Sequence, residues 1–276
     1  MRNKKWILLS LWVFLPGLFH SCQEETVTAE DPELLTRQEV QVEELMADLD
    51  AMVDEALFLQ LNPLKAATGE GDYFRNSCPV VTYSRSDGTR VLTLNFGEGC
   101  TGRDGKVRSG KIIVTSGSFE ESGFEREKRF DQFMVDGKKV EGRILKTITF
   151  DRQTLLRTAS VEEEVTLTFP DDKGVVKRKA SLTREYELHF PGIGRDNLMR
   201  SWGTVEVTRL NGIKFTKTIT QEDPVVFLVS CHRNVSGVVT FTTSDGRSWS
   251  LDYGDGTCDN LATLTKDGES KTIKLK

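Results

Sequence analysis

Histidine and tryptophan are scarce in this chain of 276 residues. It contains three histidines and four tryptophans, of which only His189, His232, Trp202 and Trp249 lie beyond residue 21. Two separated histidines do not suggest a histidine-rich zinc site or a Ser-His-Asp triad. The sequence also lacks HExxH, GxSxG, a Walker-type phosphate loop and a GxGxxG ahead of a helix. We therefore expect no catalysis and no cofactor.

Long apolar runs are missing after the first residues. The run from Trp6 to Leu15 follows the basic residues Arg2, Lys4 and Lys5. It is too short to cross a bilayer, and no other segment approaches the ~20 apolar residues that a membrane helix needs. A basic start followed by a short apolar run is typical of an export signal. We predict that residues 1–21 are a signal peptide.

A small residue precedes a cysteine where this signal ends, in the segment Leu18 to Cys22. The segment resembles the lipobox of bacterial lipoproteins, in which the cysteine is diacylated and becomes the first mature residue. Phe19 replaces the usual leucine, as in the looser lipoboxes of the Bacteroides–Flavobacterium group. The segment Gln23 to Glu25 resembles the acidic surface-export signal of that group. The resemblance implies an outer-membrane lipoprotein like the many uncharacterised ones of that group. Palmitate-type chains on Cys22 would anchor it, and it would be exposed at the cell surface.

The charge of the chain fits a protein held at a membrane by lipid alone. Removing residues 1–21 takes away three basic residues and no acidic one, so the net charge changes from −5 to −8. An acidic surface argues against nucleic acid as a partner. Two or more acyl chains give stable membrane attachment, so the mature chain needs no hydrophobic anchor of its own. Residues 22–32 are expected to be a polar tether.

Residues 33–61 are predicted to form one acidic amphipathic helix. Asp31 is a suitable N-cap and Pro32 fits the first helical position. Apolar residues such as Leu45, Leu49 and Met52 recur at helical spacing, and the polar side of the helix is strongly acidic. The pattern favours a helix that packs on the following domain. A stalk or a partner-binding helix is the alternative.

Two related cysteine units stand near the two ends of the remaining chain, from Cys78 to Cys100 and from Cys231 to Cys258. Each contains a Val-Val-Thr-aromatic strand, a Ser-Asp-Gly turn and a second strand. Asp-Gly between alternating apolar runs predicts a hairpin. The apolar residues of the two copies begin at different distances from the turn, so we expect a bulge or a different loop length in one copy.

The flanking cysteines lie near the open end of each predicted hairpin. Four cysteines allow three pairings, and the sequence does not choose between them. Because the unit is repeated, we favour local bridges between Cys78 and Cys100 and between Cys231 and Cys258. In the chain-entropy model, a disulfide that closes a loop of this size stabilises the folded protein by about 3 kcal/mol. Buried free thiols are the alternative.

Residues 62–77 are expected to be a linker, and residues 78–276 an antiparallel β domain. Alternating apolar and charged residues are separated by tight-turn signals such as Asp136-Gly137, Asn211-Gly212 and Asp267-Gly268. The pattern predicts about 11 to 13 strands. Tight turns make neighbouring strands antiparallel, and the missing crossover helices exclude a parallel sheet. The predicted class is all-β: a large antiparallel meander that forms a twisted sheet, an open barrel or a sandwich.

Candidate ligand sites are few. The segment Asp252 to Gly256 resembles the turn of PKD-type β-sandwich domains of cell-surface proteins, and Asn95 to Gly99 is a fainter match. The carboxylates of Asp252, Asp255 and Asp259 are oxygen ligands suited to calcium, with a plain turn as the alternative.

A solvent-facing tryptophan on a β surface could stack on a sugar, and Trp202, after a glycine-rich loop, is the better candidate. Trp249, in phase with Leu251 and Tyr253, is expected in the core. We expect Lys177 to Lys179 to be a solvated basic patch.

These features lead to three hypotheses about function. The first is a lipid-anchored, surface-exposed binding or structural module that recognises a glycan or a protein. The second is a carrier of apolar ligands, because a helix across an open antiparallel half-barrel resembles the layout of lipoprotein-carrier and lipocalin-like folds. A carrier requires an apolar cavity of several hundred Å³. The third is a glycosidase or other hydrolase, which requires a cleft with two facing carboxylates.

Overall fold

The computed structural model describes residues 31–61, 73–74, 78–118, 123–151, 156–170, 174–187, 198–209 and 212–275. The predicted signal peptide, Cys22 and the acidic segment after it, most of the predicted linker, and His189 lie outside these residues. One helix, α1, precedes the strands of a single sheet. The elements are α1 (Pro32–Leu61), β1 (Val80–Ser86), β2 (Thr89–Thr101), β3 (Val107–Ser116), β4 (Phe124–Val135), β5 (Lys138–Phe150), β6 (Arg157–Thr168), β7 (Val175–Glu187), β8 (Leu198–Arg209), β9 (Lys214–Ile219), β10 (Val225–Leu228), β11 (Arg233–Thr243), β12 (Ser248–Asp255), β13 (Leu261–Lys266) and β14 (Glu269–Lys274).

The predicted fold class is confirmed: the strands form an antiparallel meander after one N-terminal helix. Neighbours in the sheet follow chain order from β1 to β8 and from β10 to β14. The short strands β9 and β10 share one position in the sheet. Each pairs with β8 on one side and with β11 on the other, and the two follow one another end to end. The sheet is not a closed barrel, because β1 and β14 stand at opposite ends of the strand order.

The sheet is wrapped around the helix. Seven consecutive residues of α1, from Glu44 to Asp50, are all buried. A helix turns once in 3.6 residues, so seven in a row point in every direction around its axis. Strands from both halves of the sheet bond to α1. For example, Trp249 Nε1 of β12 donates to Thr36 Oγ1 at 2.8 Å, and Arg126 of β4 pairs with Asp54. The helix is therefore the centre of the core.

Glycines in the middle of strands allow this curvature. Gly142 of β5 and Gly203 of β8 have φ of 113° and 126°. A Cβ at Gly142 would lie 2.0 Å from the Glu164 carbonyl oxygen, and one at Gly203 would lie 2.3 Å from the Ser181 carbonyl oxygen. Glycine thus supplies both the backbone conformation and the close approach between strands that a bent sheet requires.

Both predicted disulfides are present, between Cys78 and Cys100 and between Cys231 and Cys258. The bulge expected in one of the two hairpins is confirmed: β1 and β2 pair without a register shift, whereas the register of β11 and β12 shifts between Ser236 and Val238. The pairing of β2 with β3 also shifts, on either side of Gly97. No helix in the part of the chain that the structure describes is both long and apolar enough to span a bilayer.

Candidate functional site

The acidic side chains of α1 face the inside of the sheet and meet basic side chains there. Five carboxylates and eight cations form one partly to fully buried network, which we call the interior charge network. Its anions are Glu39, Glu43, Asp50 and Asp54 of α1 and Glu163 of β6; its cations are Arg126, Lys128, Lys146, Arg157, Arg178, Arg184, Arg209 and Lys217.

Asp50 lies at the centre of this network. Its Oδ1 accepts from Lys128 Nζ at 2.6 Å, and its Oδ2 lies 2.9 Å from Lys146 Nζ and also bonds to Arg184 Nη1. Burial opposes ionisation of Asp50, but these three cations outweigh it and hold the pKa of the carboxyl well below its ordinary value. The carboxylate is therefore ionised, and three strands depend on its charge.

A second part of the network joins β6 and β7 to the helix. Arg178 donates through Nε to Glu163 Oε2 at 2.8 Å and through Nη1 to Glu43 Oε1 at 2.7 Å. Glu163 Oε1 also accepts from Arg184 Nη2 at 2.7 Å. Burial disfavours the charge of Glu43, but Arg178 and Lys217 outweigh that cost and lower its pKa. These bonds set the position of the helix along the sheet.

The prediction of a solvated basic patch at Lys177 to Lys179 is wrong at its centre. Arg178 is 1 % exposed, whereas Lys177 and Lys179 are exposed. The period of two places Arg178 on the inner face. The burial of Arg184 could be predicted from the sequence, because Arg184 is in phase with the apolar residues Leu182 and Tyr186. A cation on the apolar face of a strand indicates a buried partner, since an unpaired buried charge is very costly.

Asp48 forms a separate cluster that connects the two cysteine units. Its Oδ1 accepts from Tyr73 Oη at 2.8 Å and lies 2.8 Å from His232 Nδ1, while Lys106 Nζ bonds to its Oδ2. Lys106 follows the first unit and His232 adjoins Cys231 of the second. One helix carboxylate thus joins two places that are far apart in the strand order.

This cluster predicts a specific dependence of stability on pH. The bond to Asp48 raises the pKa of His232, with burial acting in the opposite direction. A group with a raised folded-state pKa stabilises the fold fully below its unfolded value, about 6.5, and less as pH rises through the folded value. We expect the free energy of unfolding of His232→Gln to fall less steeply than that of the wild type between pH 6 and 8, as measured by urea denaturation.

The control for this experiment is Lys271→Gln, which removes an exposed ion pair with Glu33 and should keep the wild-type slope. Equal slopes in His232→Gln and the wild type would contradict the assignment.

In acid, burial disfavours the Asp48 charge, but bonds from His232, Lys106 and Tyr73 outweigh it and lower the Asp48 pKa to about 2. The Asp48 contribution is therefore present above about pH 4 and is lost as pH falls towards 2.

A groove of about 380 Å³ crosses the outer face of β5 to β8. Paired strand residues share a face of the sheet, so the register places two rows across this groove. The first row is Arg143, Glu164, Lys179 and Glu206, and the second is Leu145, Glu162, Ser181 and Thr204. The groove therefore combines three carboxylates with two cations and two hydroxyls.

Contacts within the groove leave part of this surface for a ligand. Glu164 lies 3.7 Å from Arg143 and 3.5 Å from Lys179, and Glu162 accepts a hydrogen bond from Ser181 at 2.8 Å. Glu206 makes no such contact with another described residue. The three carboxylates Glu162, Glu164 and Glu206 are exposed. Exposed carboxylates can accept hydrogen bonds from the hydroxyls of a ligand.

The two tryptophans differ in burial, and Trp249 lies in the core as predicted. Trp249 is 3 % exposed and stacks on Phe241 with ring centroids 5.2 Å apart. Trp202 is half-buried and packs against the hydrophobic core. It pairs with Thr183, which lies between the inward-facing Leu182 and Arg184. Trp202 therefore belongs to the outer face, two residues along β8 from Thr204 of the groove.

The calcium candidates do not converge. Asp252 Oδ1 accepts from the Gly254 amide, Asp255 Oδ1 from the Thr257 amide, and Asp259 Oδ1 from the Leu261 amide. Each carboxylate thus closes its own turn, as aspartate commonly does. Among the described residues, no group of three or more His, Cys, Asp or Glu side chains is placed to hold a metal ion.

Comparison with protein-family models, with curated proteins and with solved structures finds no match. Only the residues and their arrangement therefore indicate a function. Sequence patterns had singled out Trp202 but neither the groove beside it nor the role of Asp48 and His232. Those sites are built from residues distant in the chain, so only the strand register brings them together.

Proposed function

We propose that the protein is a lipid-anchored, non-catalytic binding module of the outer membrane, exposed at the cell surface, that binds a hydroxyl-rich ligand such as a glycan. The groove on the outer face of β5 to β8 is the observation that carries this proposal. Carboxylates and hydroxyls bond to sugar hydroxyls, and a tryptophan beside them offers a ring for stacking. Trp202 lies about 7 Å from Thr204 along the strand, which is within the length of a disaccharide.

The lipid anchor is supported by the resemblance of the segment Leu18 to Cys22 to a lipobox. Nine residues separate Cys22 from Pro32, and such a tether reaches at most about 35 Å. The N-terminal half of α1 bonds to Arg209, Trp249 and Lys271, which lie near the turns that follow β8, β11 and β13. Acylation would therefore hold these turns near the bilayer and leave the outer face of the sheet accessible.

The interior favours this function over the carrier of apolar ligands. A cavity between α1 and strands β7 to β12 has a volume of about 20 Å³, and another beside Asp50 and Lys128 has about 10 Å³. An acyl chain or similar ligand requires several hundred Å³ of apolar space. In this protein, α1 and the interior charge network fill the space inside the sheet where a carrier would hold its ligand.

The binding proposal is tested with the mature chain on an array of bacterial and host glycans. We expect the wild type to bind a subset of glycans, and Trp202→Ala and Glu206→Gln to weaken that binding at least tenfold, which is about 1.4 kcal/mol. Glu269→Gln, an exposed carboxylate of β14, is the control and should bind as the wild type does. Absence of binding, or binding that both groove variants retain, would refute the proposal.

The anchor is tested separately. We expect wild-type cells fed an alkyne-labelled palmitate to yield a labelled protein that protease removes from intact cells. Cys22→Ser should abolish the label. A labelled protein that protease cannot reach would place it on the periplasmic side and contradict surface exposure.

A further inference from the structure

The cavity between α1 and strands β7 to β12 has polar groups on an otherwise apolar wall. Its polar side chains are those of Glu43, Arg184, Ser201, Asn234 and Tyr253. Its volume of about 20 Å³ exceeds the roughly 10–15 Å³ that one water requires. The space suits a single-atom species and is too small for a polyatomic anion such as sulfate.

Two residues that line this cavity each have a buried nitrogen donor without an acceptor. Arg184 Nε and Asn234 Nδ2 form no hydrogen bond with any described residue, and the two residues are 2 % and 7 % exposed. The other Arg184 nitrogens are engaged by Asp50 and Glu163. Burying a donor without a partner is costly, so these two groups point to an acceptor in the cavity.

Two hydroxyls can donate to the same acceptor. Ser201 is 8 % exposed and lines the cavity. Burial raises the pKa of Tyr253 well above its usual range, so its hydroxyl keeps its proton; Asn234 lies beside that hydroxyl, but its Nδ2 does not complete a hydrogen bond. The cavity therefore offers up to four donors, which exceeds what one water can accept through its two lone pairs.

Charge distinguishes an anion from a water molecule. The interior charge network holds eight cations against five carboxylates. The six buried side-chain atoms without a partner among the described residues are all nitrogens. Glu43 is the one carboxylate on the wall, and its oxygens already accept from Arg178 and Lys217. The interior charge network therefore has more cations than carboxylates, and the unpartnered buried atoms are donors.

From this geometry we infer that the cavity binds one small inorganic anion, with chloride as the natural occupant. Arg184, Asn234, Ser201 and Tyr253 donate to it, and it supplies the acceptor that the unpartnered donors lack. The site lies on the opposite side of the sheet from the glycan groove and does not depend on the proposed function. Its role is to complete the interior on which the position of α1 depends.

The test uses the mature wild-type chain in sodium chloride and in sodium gluconate at equal ionic strength. We expect the midpoint of thermal unfolding to rise with chloride in a saturable manner, by about 3 °C at ten times the dissociation constant. Crystals grown with sodium bromide should show an anomalous peak in the cavity. Equal midpoints in the two salts, or a cavity that contains only water, would overturn the inference.

A substitution in the cavity tests whether the response to chloride arises at this site. Asn234→Asp places a carboxylate where the anion is expected to lie, so the response to chloride should disappear. Asn95→Asp is the matched control, because Asn95 accepts from the Gly97 amide on the surface of β2 and the change leaves an acceptor there. It should keep the wild-type response. If Asn234→Asp does not fold, the bromide experiment on the wild type decides; a response to chloride that survives in a folded Asn234→Asp would contradict the site.

Discussion

Replacing Asp50 by asparagine is expected to lower the free energy of unfolding by about 3–5 kcal/mol. The substitution keeps the shape of the side chain but removes the charge that faces Lys128, Lys146 and Arg184. Asp50 is 2 % exposed, so water cannot take the place of that charge. Breaking a buried ion pair by removing one partner leaves an uncompensated charge, and this accounts for the size of the loss. Urea denaturation followed by circular dichroism measures it.

The control for Asp50 is Glu33→Gln on the same helix. Glu33 pairs with Arg37 and Lys271 in a partly exposed setting, and pairs near the surface contribute about 0–1 kcal/mol. The same chemical change should therefore have a small effect there. Similar losses in the two variants would show that Asp50 does not hold three cations in a buried setting.

Replacing Gly142 by alanine is expected to have a comparable effect through the backbone. The φ of 113° is costly for a residue with a side chain, by roughly 1–3 kcal/mol. A Cβ would also lie 2.0 Å from the Glu164 carbonyl oxygen, and relieving such an overlap requires backbone shifts that cost roughly 1–3 kcal/mol. We expect a total loss of about 4 kcal/mol, measured by the same denaturation experiment.

Gly174→Ala separates these two contributions. Gly174 has φ of 107°, and no heavy atom lies within 4 Å of the position a Cβ would take. This variant should show only the conformational cost of roughly 1–3 kcal/mol. If Gly142→Ala were no more destabilising than Gly174→Ala, the close approach of β5 and β6 would not be a requirement of the curved sheet.

The interior charge network specifies where α1 sits more than it adds net stability. Buried ion pairs gain little over well-packed apolar residues, because both charges lose their hydration. A shift of α1 along the sheet would separate Asp50, Asp54 and Glu43 from their cations and leave both sides unpaired in the core. The network therefore penalises misplacement of the helix, and the correctly placed helix fills the space that a carrier would use for a ligand.

The fold class followed from local patterns. Alternation with period two and Asp-Gly or Asn-Gly turns predicted a meander, and Asp31-Pro32 correctly marked the start of α1. Repetition of the cysteine unit selected the bridges Cys78–Cys100 and Cys231–Cys258. These features are readable because a turn, a cap or a local bridge depends on residues close together in the chain.

Tertiary structure decided which way the charges of the helix face. A helical stripe in the sequence shows that the acidic side of α1 is polar, but polarity alone does not distinguish contact with water from contact with buried cations. Asp50 faces Lys128 and Arg184, which follow it by 78 and 134 residues, and His232 reaches Asp48 across 184 residues. Such pairs exist only after the sheet has curled around the helix. Strand register and curvature determine which inward-facing cation meets which carboxylate, and many distant contacts together set both.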